Sequence, residues 1–462
     1  MRRYAWLAVV AVLAALAALF LTLTQARPTY DGMGFLVWGQ QALHLNFNLN
    51  GAPSWKPLPF LATLPYALAG RPGQEWLWTF TSDFAAGAAV VLAARLAYRL
   101  SPEVHGRRWA RVAGALVAAY GVATLVGLLE FALIANSDQL VVALLLAAID
   151  VHVSRRPRAA FALLWLAALG RPEVWPFLVL YGAYTWRQGA LPAWLTVTAV
   201  LAAPAVWFVV PGLTSKSWLQ ASNLALGQKT AIHGNKLIGV FERLRTLTVL
   251  PMQVATLVAI VIGLRGRDRR VLWLTAAALL WFCVEVAFAL HGFSAVARYL
   301  IEPGAVLMVV AGIGVATLLS RPSGPARWLG PLAVAALVVS LFPYTHRTLV
   351  TDHALISQAH TDARVLGGLE AVIRADGGPR RLLACGRPFA PLGYQSTVAW
   401  DLGLNVGTVF FGVGAGFYGH TPAVLVVPRR RGPVIYGWHV LAVHEPPARA
   451  AACRGLDRSV AV

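Results

Sequence analysis

Charge is scarce in this chain, and negative charge is the scarcest. Only 13% of the 462 residues are charged, with 19 Asp and Glu against 39 Lys and Arg. A soluble globular chain is nearer a quarter charged. Hydrophobic residues make up 58% of the chain, and the mean hydropathy is +0.64. This composition excludes an ordinary soluble protein and predicts an integral membrane protein.

Lysine is rare as well, although the net charge is +20. A strongly basic chain can indicate a nucleic-acid partner. Here the arginines lie mostly between apolar runs, which is typical of membrane topology. We therefore predict contact with membrane lipids and no nucleic-acid partner. The four lysines are Lys56, Lys216, Lys229 and Lys236.

Apolar runs recur along the first three quarters of the chain, and most of them are apolar on all sides. Runs of about 17–25 such residues can cross a bilayer as helices. We predict about eleven transmembrane helices: Tyr4–Leu23 and roughly 76–97, 109–131, 138–153, 159–170, 172–187, 191–210, 247–264, 271–290, 300–319 and 327–343.

The arginines assign the two sides of the membrane. Alternate loops carry arginine clusters on the same side as Arg2 and Arg3, and the positive-inside bias makes that side cytoplasmic. The sequence thus predicts a multi-pass protein of the plasma (inner) membrane. Its N-terminus is predicted to be cytoplasmic. The first span resembles a signal peptide at Thr24-Gln25-Ala26, but we favour an uncleaved anchor because its apolar run exceeds a usual signal core. The predicted external segments are 24–75, 132–137, 211–246, 291–299 and the C-terminal region.

Most polar candidates fall in these external segments. Asp31 follows the first span and either begins a short interfacial helix as a cap or acts chemically. Lys56 precedes two prolines and either binds a phosphate or extends to the lipid headgroups. Arg171 and Glu173 separate two short apolar segments. The remaining candidates are Asp138, His291, Arg298, Tyr299 and Glu302.

Some acidic residues appear within predicted spans. Carboxylates inside a membrane are costly and usually face a cavity or a partner. All of them fall in the outer part of their spans, which predicts one polar cavity that opens outward. These residues are Asp83, Glu130, Glu173 and Glu285.

Together these features resemble the GT-C superfamily of polytopic membrane glycosyltransferases. The similarity is to the branch with the protein O-mannosyltransferases, the aminoarabinose transferases and the actinobacterial arabinosyl- and mannosyltransferases. It covers roughly residues 1–343. The motifs that carry it are Tyr30-Asp31, Lys56-Pro57-Leu58-Pro59, Asn136-Ser137-Asp138, Leu169-Gly170-Arg171-Pro172-Glu173 and Arg298-Tyr299.

The resemblance implies a hexosyl- or pentosyltransferase that uses a polyprenyl-phosphate sugar as donor. An inverting transfer would move the sugar to a cell-envelope acceptor (glycan, lipid or protein) at the outer face. Asp31 is then the general base, and Lys56, Arg298 and Tyr299 bind the donor phosphate. The implied binding residues for sugar or acceptor are Asp138, His291, Glu302 and Arg171.

The chain departs from the family pattern in the first external segment. Gly32 stands where many relatives have a second acid, and Phe35 stands where a Tyr is common. No His, Asp or Glu spacing requires a metal, so the sequence requires no cofactor, although a divalent metal is left open because some relatives use one.

The C-terminal region changes character. Residues 344–462 are predicted to form a small extracytoplasmic α/β domain, separate from a transmembrane catalytic domain at 1–343. A helix is predicted at Ala354–Asp376, and strands at 381–385, 407–411, 423–427 and 439–443. Outside the cell, a disulfide between Cys385 and Cys453 is allowed, whereas Cys283, inside a predicted span, is predicted to pack in the protein core.

Other functions remain open from sequence alone. A transporter or flippase of lipid-linked sugars would need charges or broken helices near the membrane midplane, often with internal repeats, and we see no clear repeat. An enzyme like the O-antigen ligases would transfer whole glycans. A non-catalytic membrane scaffold would use the same acidic residues only as helix caps.

Overall fold

The architecture is mainly helical, with a small sheet near the C-terminus. It is described by a computed structural model that covers residues 2–320, 328–411, 422–431, 434–443, 453, 456 and 459–461. The predicted cytoplasmic residues Arg321 and Arg327 lie outside the described residues.

The helices follow one another with short connections. The first nine are α1 (Arg2–Thr24), α2 (Tyr30–Leu43), α3 (Pro57–Tyr66), α4 (Gly70–Leu100), α5 (Arg108–Ala123), α6 (Leu128–Leu133), α7 (Asp138–Val153), α8 (Pro157–Gly170) and α9 (Trp175–Arg187). The next nine are α10 (Ala193–Thr214), α11 (Gln220–Ala225), α12 (Lys236–Thr246), α13 (Leu250–Gly266), α14 (Arg269–Leu290), α15 (Ile301–Ser320), α16 (Leu329–Ala375), α17 (Gly378–Cys385) and α18 (Gln395–Leu402).

Six helical segments in the described part of the chain are long and apolar enough to cross a membrane. The bent pair of α12 and α13, which meet at 109°, would make a seventh. Four other predicted spans are covered by α5, α7, α8 and α9, which have only 13 to 16 residues each. The number eleven therefore stays a prediction. The six are Trp6–Thr24, Pro57–Leu100, Ala193–Thr214, Arg269–Leu290, Ala297–Ser320 and Leu329–Ala375.

The predicted continuous span at 109–131 is wrong. Helix α5 ends at Ala123, and α6 begins after Gly127, whose φ of 91° is in the left-handed region. Glycine adopts that conformation without steric cost. A Cβ on Gly127 would also lie 2.6 Å from the Phe131 ring. The break brings the chain back along the predicted outer surface before α7.

Helix α15 lies at the centre of the helical layer, and α5 packs tightly against it. A Cβ added to Gly114 would lie 2.4 Å from the carbonyl oxygen of Gly312. Small residues permit such close backbone approach between membrane helices. The position of α15 is therefore tightly constrained, which matters because the residues just before it carry two site candidates.

Helix α16 runs without a break for 47 residues. It includes both the last predicted span and the predicted helix at 354–376. The proposed division at 343/344 lies inside it, directly after Pro343. The membrane-spanning part and the C-terminal region are thus joined by one helix, with no flexible linker at that point.

The C-terminal region contains a five-stranded mixed sheet. Its strands are β1 (Arg387–Ala390), β2 (Phe410–Phe411), β3 (Ala423–Arg431), β4 (Val434–Val443) and β5 (Ser459–Ala461). Their order is β2-β1-β3-β4-β5. β1 pairs in parallel with β2 and β3, and the pairs β3–β4 and β4–β5 are antiparallel. The predicted strands at 423–427 and 439–443 lie within β3 and β4.

The predicted strand at 381–385 is wrong, since these residues belong to α17. Gly377, with φ of 90°, precedes this helix, and a proline occupies its first turn. Proline at that position has a suitable φ and has no N–H to satisfy. The true strand, β1, begins two residues later. Cys385 ends α17 and forms a disulfide with Cys453 across 5.6 Å between Cα atoms.

Helix α2 is buried on nearly all sides, although its sequence reads as an amphipathic interfacial helix. Phe35 and Trp38 share one apolar cluster with Val365 of α16 and Trp438 of β4. The indole nitrogen of Trp438 donates to the Val365 carbonyl at 2.8 Å. The C-terminal region therefore covers α2 and holds its first turn, which contains Asp31, in place.

Cys283 is the other cysteine whose position was predicted. It lies on α14, but its side chain is exposed at the surface of the chain. The prediction that it packs in the core is wrong. An apolar helix that faces lipid exposes such a side chain, and sequence alone does not distinguish the two environments.

Candidate functional site

Asp31 and Arg298 meet although 267 residues separate them. Arg298 Nη1 donates to Asp31 Oδ2 at 3.4 Å, and both side chains are partly exposed, at 26% and 20%. Asp31 lies in the first turn of α2, and Arg298 lies in a short 3₁₀ turn just before α15. Burial, helped by the Asp31 charge, raises the pKa of Tyr30 to about 12. Among the described residues, Asp31 has one ion pair, the long contact to Arg298, and its carboxylate stays accessible.

Lys56 lies close to the same place. Its ammonium nitrogen donates to the Ser137 hydroxyl at 3.4 Å and lies 4.0 Å from Asp138 Oδ1. It also lies 5.8 Å from the centre of the Phe35 ring. The Lys56 side chain is 12% exposed. These long contacts hold the cation in place and leave it able to bind an anion.

Tyr299 forms an aromatic surface between two arginines. The Arg171 guanidinium lies 4.5 Å from its ring centre, and that of Arg298 lies 5.3 Å away. Its backbone carbonyl accepts a hydrogen bond from the Trp281 indole at 2.9 Å. A cation over an aromatic face is attracted by the electrons of the ring. Tyr299 therefore orients both guanidinium groups.

Arg171 lies beneath this surface and is almost completely buried, with 4% of its side chain exposed. It lies 2.5 Å from Asp138 Oδ1, 3.0 Å from Glu302 Oε1 and 3.6 Å from Glu173 Oε1. Its backbone is extended because Pro172 follows, and this ends α8. The break between α8 and α9 thus places one guanidinium among three carboxylates.

The buried residues around Arg171 also contact the more exposed ones. The Arg171 guanidinium donates to the backbone carbonyl of Arg298 at 3.4 Å. Asp138, at the start of α7, lies between Arg171 and Lys56. We therefore describe two layers: an accessible layer of Asp31, Lys56 and Arg298, and a buried layer of Arg171, Asp138, Glu173 and Glu302.

Three of the residues predicted to bind sugar or acceptor lie in the buried layer. Asp138, Arg171 and Glu302 are only 1 to 3% exposed. Their predicted contact with substrate stays a prediction. In this geometry they support the accessible layer from behind. A residue that supports the site and a residue that contacts substrate can occupy the same motif, so the sequence alone could not distinguish these two roles.

His291 is not brought into the cluster. It ends α14 with an exposed side chain, and its Nδ1 lies 2.8 Å from the carbonyl oxygen of Ala287 in its own helix. Its predicted role in binding sugar or acceptor stays a prediction.

Two buried acidic residues join the site, although the sequence predicted for them only that they face a polar cavity. Glu173 pairs with Arg171, and the fully buried Glu285 on α14 lies beside Glu173. Their occurrence within apolar segments was the sequence signal. Asp83 is buried without a hydrogen-bond partner in the described part of the chain, whereas Glu130 is exposed on α6. Among these four acids, the described contacts bring only Glu173 and Glu285 together.

No metal site appears in the described residues. No group of three or more His, Cys, Asp or Glu side chains there is arranged to hold an ion. The carboxylates at Arg171 lie beside its guanidinium, and Asp138 lies beside Lys56 as well. No step of the chemistry below depends on a metal.

The overall fold is similar to that of a known class of membrane protein. Over nearly its whole length the chain is similar to a solved structure. The neighbour is ArnT from Cupriavidus metallidurans, solved with undecaprenyl phosphate and in the apo state. The bound form has a TM-score of 0.52 and 12% identity, and the apo form 0.53 and 14%. Each comparison covers 92% of this chain and 93% of ArnT.

A third solved structure is less similar. The oligosaccharyltransferase of Archaeoglobus fulgidus, tethered to an acceptor peptide, has a TM-score of 0.49 and 13% identity over 90% of this chain and 65% of its own. No protein-family model and no curated protein matches the sequence. The ArnT comparisons establish the GT-C fold, so the resemblance predicted from the sequence is confirmed at the level of the fold.

Proposed function

We propose that this protein is a membrane glycosyltransferase that moves a sugar from a polyprenyl-phosphate donor to a cell-envelope acceptor. The observation that carries the proposal is the accessible layer, in which one carboxylate and two cations from distant segments converge. The fold supports it, because ArnT has the same fold and was solved with undecaprenyl phosphate bound. An enzyme of this kind needs a base beside an anion-binding group, and the layer contains both.

Asp31 is the general base in this proposal. A base accepts the proton of an acceptor hydroxyl as that oxygen attacks the anomeric carbon of the sugar. Attack from the face opposite the leaving group forms the new C–O bond as the bond to the phosphate oxygen breaks, so the configuration inverts. The partial exposure of Asp31 leaves its carboxylate accessible to an acceptor. Its pair with Arg298 orients the carboxylate.

Lys56 and Arg298 bind the phosphate that leaves. Negative charge grows on this phosphate as the glycosidic bond breaks, and fixed cations stabilise such developing charge. The two cations approach from different segments, one before α3 and one before α15. Tyr299 holds the Arg298 guanidinium by its aromatic face. The buried layer keeps both cations in position through Asp138 and the Arg298 carbonyl.

The proposal includes the orientation of the chain. Eleven spans would place the N-terminus in the cytoplasm and the accessible layer and an α/β domain at 344–462 outside. A lipid-linked donor also suits this location, because its polyprenyl chain lies in the bilayer and its phosphate at the membrane surface.

Cysteine labelling in intact cells tests this orientation. Single cysteines at His44, Glu130 and His291 all lie on exposed side chains of the predicted outer surface. Cys283→Ala removes the free native thiol, and Cys385 and Cys453 form a disulfide. Glu103→Cys is the matched control, since it is exposed on a predicted cytoplasmic loop.

A membrane-impermeant maleimide should label the three outer positions and should label Glu103→Cys only after the membrane is permeabilised. Outer positions that label on opposite sides would remove the common external site, and a transporter or scaffold would then be the better description. The sugar transferred and the acceptor are identified by transfer assays with defined polyprenyl-phosphate sugars.

A further inference from the structure

A second polar space lies apart from the accessible layer. It is a cavity of about 530 Å³ between the end of α1, the start of α4, the C-terminal half of α16 and α18. This volume is within the range of small-molecule sites, which often occur where domains meet. Residues 25–29 connect it to α2, so only a short stretch of chain separates the cavity lining from Asp31.

Paired charges form one side of the cavity. Arg27 donates through Nε to Glu75 Oε1 at 2.6 Å and through Nη2 to Glu370 Oε1 at 2.5 Å. These side chains are 16 to 30% exposed. Each carboxylate can accept further hydrogen bonds. This side of the cavity thus presents hydrogen-bond acceptors held in place by a central guanidinium.

Arg71, one helical turn before Glu75 on α4, also lines the cavity and differs from Arg27. Its guanidinium lies 5.5 Å from the centre of the Trp400 ring. It also lies against Gly403, where an added Cβ would be 2.8 Å from Nη2. Among the described residues, no carboxylate lies within ion-pair distance of Arg71. Its N–H groups are therefore available to a ligand.

Asp401 adds a buried carboxyl next to Trp400. Its Oδ2 is buried and has no hydrogen-bond partner among the described residues. Burial, followed by the charge of Glu370, raises the pKa of Asp401 to about 8. The carboxyl therefore keeps its proton at neutral pH and can donate a hydrogen bond as well as accept one.

One side of the cavity is apolar. Trp76 is 46% exposed and stacks on Phe80 with 5.2 Å between ring centres. Leu21, at the end of α1, completes this side. An exposed indole supplies a large flat surface for an apolar ring face. The cavity therefore combines aromatic surfaces with both donors and acceptors.

The geometry points to a saccharide-binding site in this cavity, bounded by Arg71, Glu75, Glu370, Trp76 and Trp400. Each sugar hydroxyl both donates and accepts hydrogen bonds, so it is satisfied by a lining that alternates guanidinium and carboxylate groups. The C–H face of a sugar ring packs on an indole. The lining mixes arginines with the carboxylates of Glu75 and Glu370, so it is not the purely cationic lining typical of a simple anion site.

The inference deepens the proposed function, because a glycan held here would extend toward Asp31 along residues 27–31. It rests on the proposed function only for the identity of that glycan as substrate. Saccharide binding itself is a separate property of the cavity, and it can be measured without any transfer reaction.

Saturation-transfer difference NMR on the full chain in detergent micelles tests the inference. The probes are mannotriose and arabinofuranotriose, which represent hexopyranose and pentofuranose rings. We expect binding of at least one trisaccharide in the millimolar range or tighter. Arg71→Ala and Trp76→Ala should each weaken that binding about tenfold or more. Because both residues are exposed, these variants should fold normally, which a thermal unfolding scan checks.

Two controls separate this site from the accessible layer. Trp273→Ala replaces an even more exposed indole, on α14, and should leave binding unchanged. Asp31→Asn should also leave trisaccharide binding unchanged. Retained binding in Asp31→Asn supports the cavity as the site even if transfer activity were to show that Asp31 is not the base.

Three results would overturn the inference. One is the absence of binding for both trisaccharides. Another is binding that Arg71→Ala and Trp76→Ala leave unchanged. The third is displacement of the trisaccharide by millimolar inorganic phosphate with the same dependence on Arg71, which would make the cavity an anion site.

Discussion

Two arginines in this protein, Arg171 and Arg27, hold carboxylates in very different surroundings. Arg171 is 4% exposed and lies among Asp138, Glu173 and Glu302. Arg27 is 21% exposed and joins Glu75 to Glu370 at the edge of an open cavity. In the first cluster the guanidinium and the three carboxylates are buried next to one another, away from solvent. In the second, lining groups remain free to meet a ligand.

The difference in burial distinguishes charged residues that stabilise the structure from charged residues that can contact a ligand. Removing one partner from a buried ion pair leaves an uncompensated charge, which is strongly destabilising. A partly exposed charge is still solvated when its partner is lost, so the loss costs little. In the proposed function, the Arg171 cluster therefore positions the site, and the more exposed residues of both regions contact ligands.

The largest expected effect is on catalysis at the accessible layer. Asp31→Asn keeps the shape of the side chain but removes its ability to accept a proton, so transfer should fall by about 10²- to 10⁴-fold. The measurement is sugar transfer from a polyprenyl-phosphate donor by purified protein, with the unfolding temperature as the check on folding. Asp268→Asn, at the start of α14, is the control and should keep full activity. Normal transfer by Asp31→Asn would reject Asp31 as the base.

The comparison of the two arginines is tested directly by matched substitutions. Arg171→Met should destabilise the protein by about 3–5 kcal/mol, because it leaves buried carboxylates unpaired. Arg27→Met should cost about 1 kcal/mol or less, since its partners stay partly solvated. Thermal and denaturant unfolding in detergent compare the two variants. Equal losses would show that burial does not separate these clusters.

A smaller effect is expected on donor binding. Lys56→Gln and Arg298→Gln should each weaken binding of the polyprenyl-phosphate donor by about 1.5–3 kcal/mol, the usual contribution of a hydrogen bond to a charged group. Arg298→Gln should leave the unfolding temperature nearly unchanged because its side chain is partly exposed. Lys56→Gln also removes a cation beside the buried Asp138 carboxylate and should lower the unfolding temperature slightly. Direct titration with the donor lipid measures the affinity, and Lys229→Gln, on an exposed part of the 211–246 loop, is the control. Unchanged affinity in both variants would remove these cations from the donor site.

The last effect is a pH dependence of stability that arises at the cavity. The pKa of Asp401 is raised to about 8 in the folded chain, whereas an unfolded Asp has a pKa near 3.9. Between these values the folded state binds the extra proton, so its stability falls as pH rises from about 4 to 8. Asp401→Asn should reduce this slope. Unfolding scans at several pH values compare the two, and a slope that is the same in both would exclude Asp401 as its source.

The sequence predicts much of the candidate site because its polar residues are conspicuous. Asp31, Lys56, Asp138, Arg171, Arg298 and Glu302 stand out against apolar runs, and the structure brings all six to one region. The division between accessible and buried layers was not predictable. It depends on the break at Gly170-Arg171-Pro172 and on how α7, α8 and α15 pack, which are long-range properties. The cavity at Arg71 was missed because its lining comes from segments that read as ordinary loops and helix ends.

The sequence by itself determined the membrane character of the chain, the order of its polar motifs and the presence of two cysteines in the C-terminal region. These follow from local composition, because a bilayer requires apolar runs wherever helices cross it. The tertiary structure alone decided that α16 is continuous across the predicted boundary, that α2 is buried and that Asp31 meets Arg298. Such contacts depend on packing between distant segments, and no local pattern in the chain specifies them.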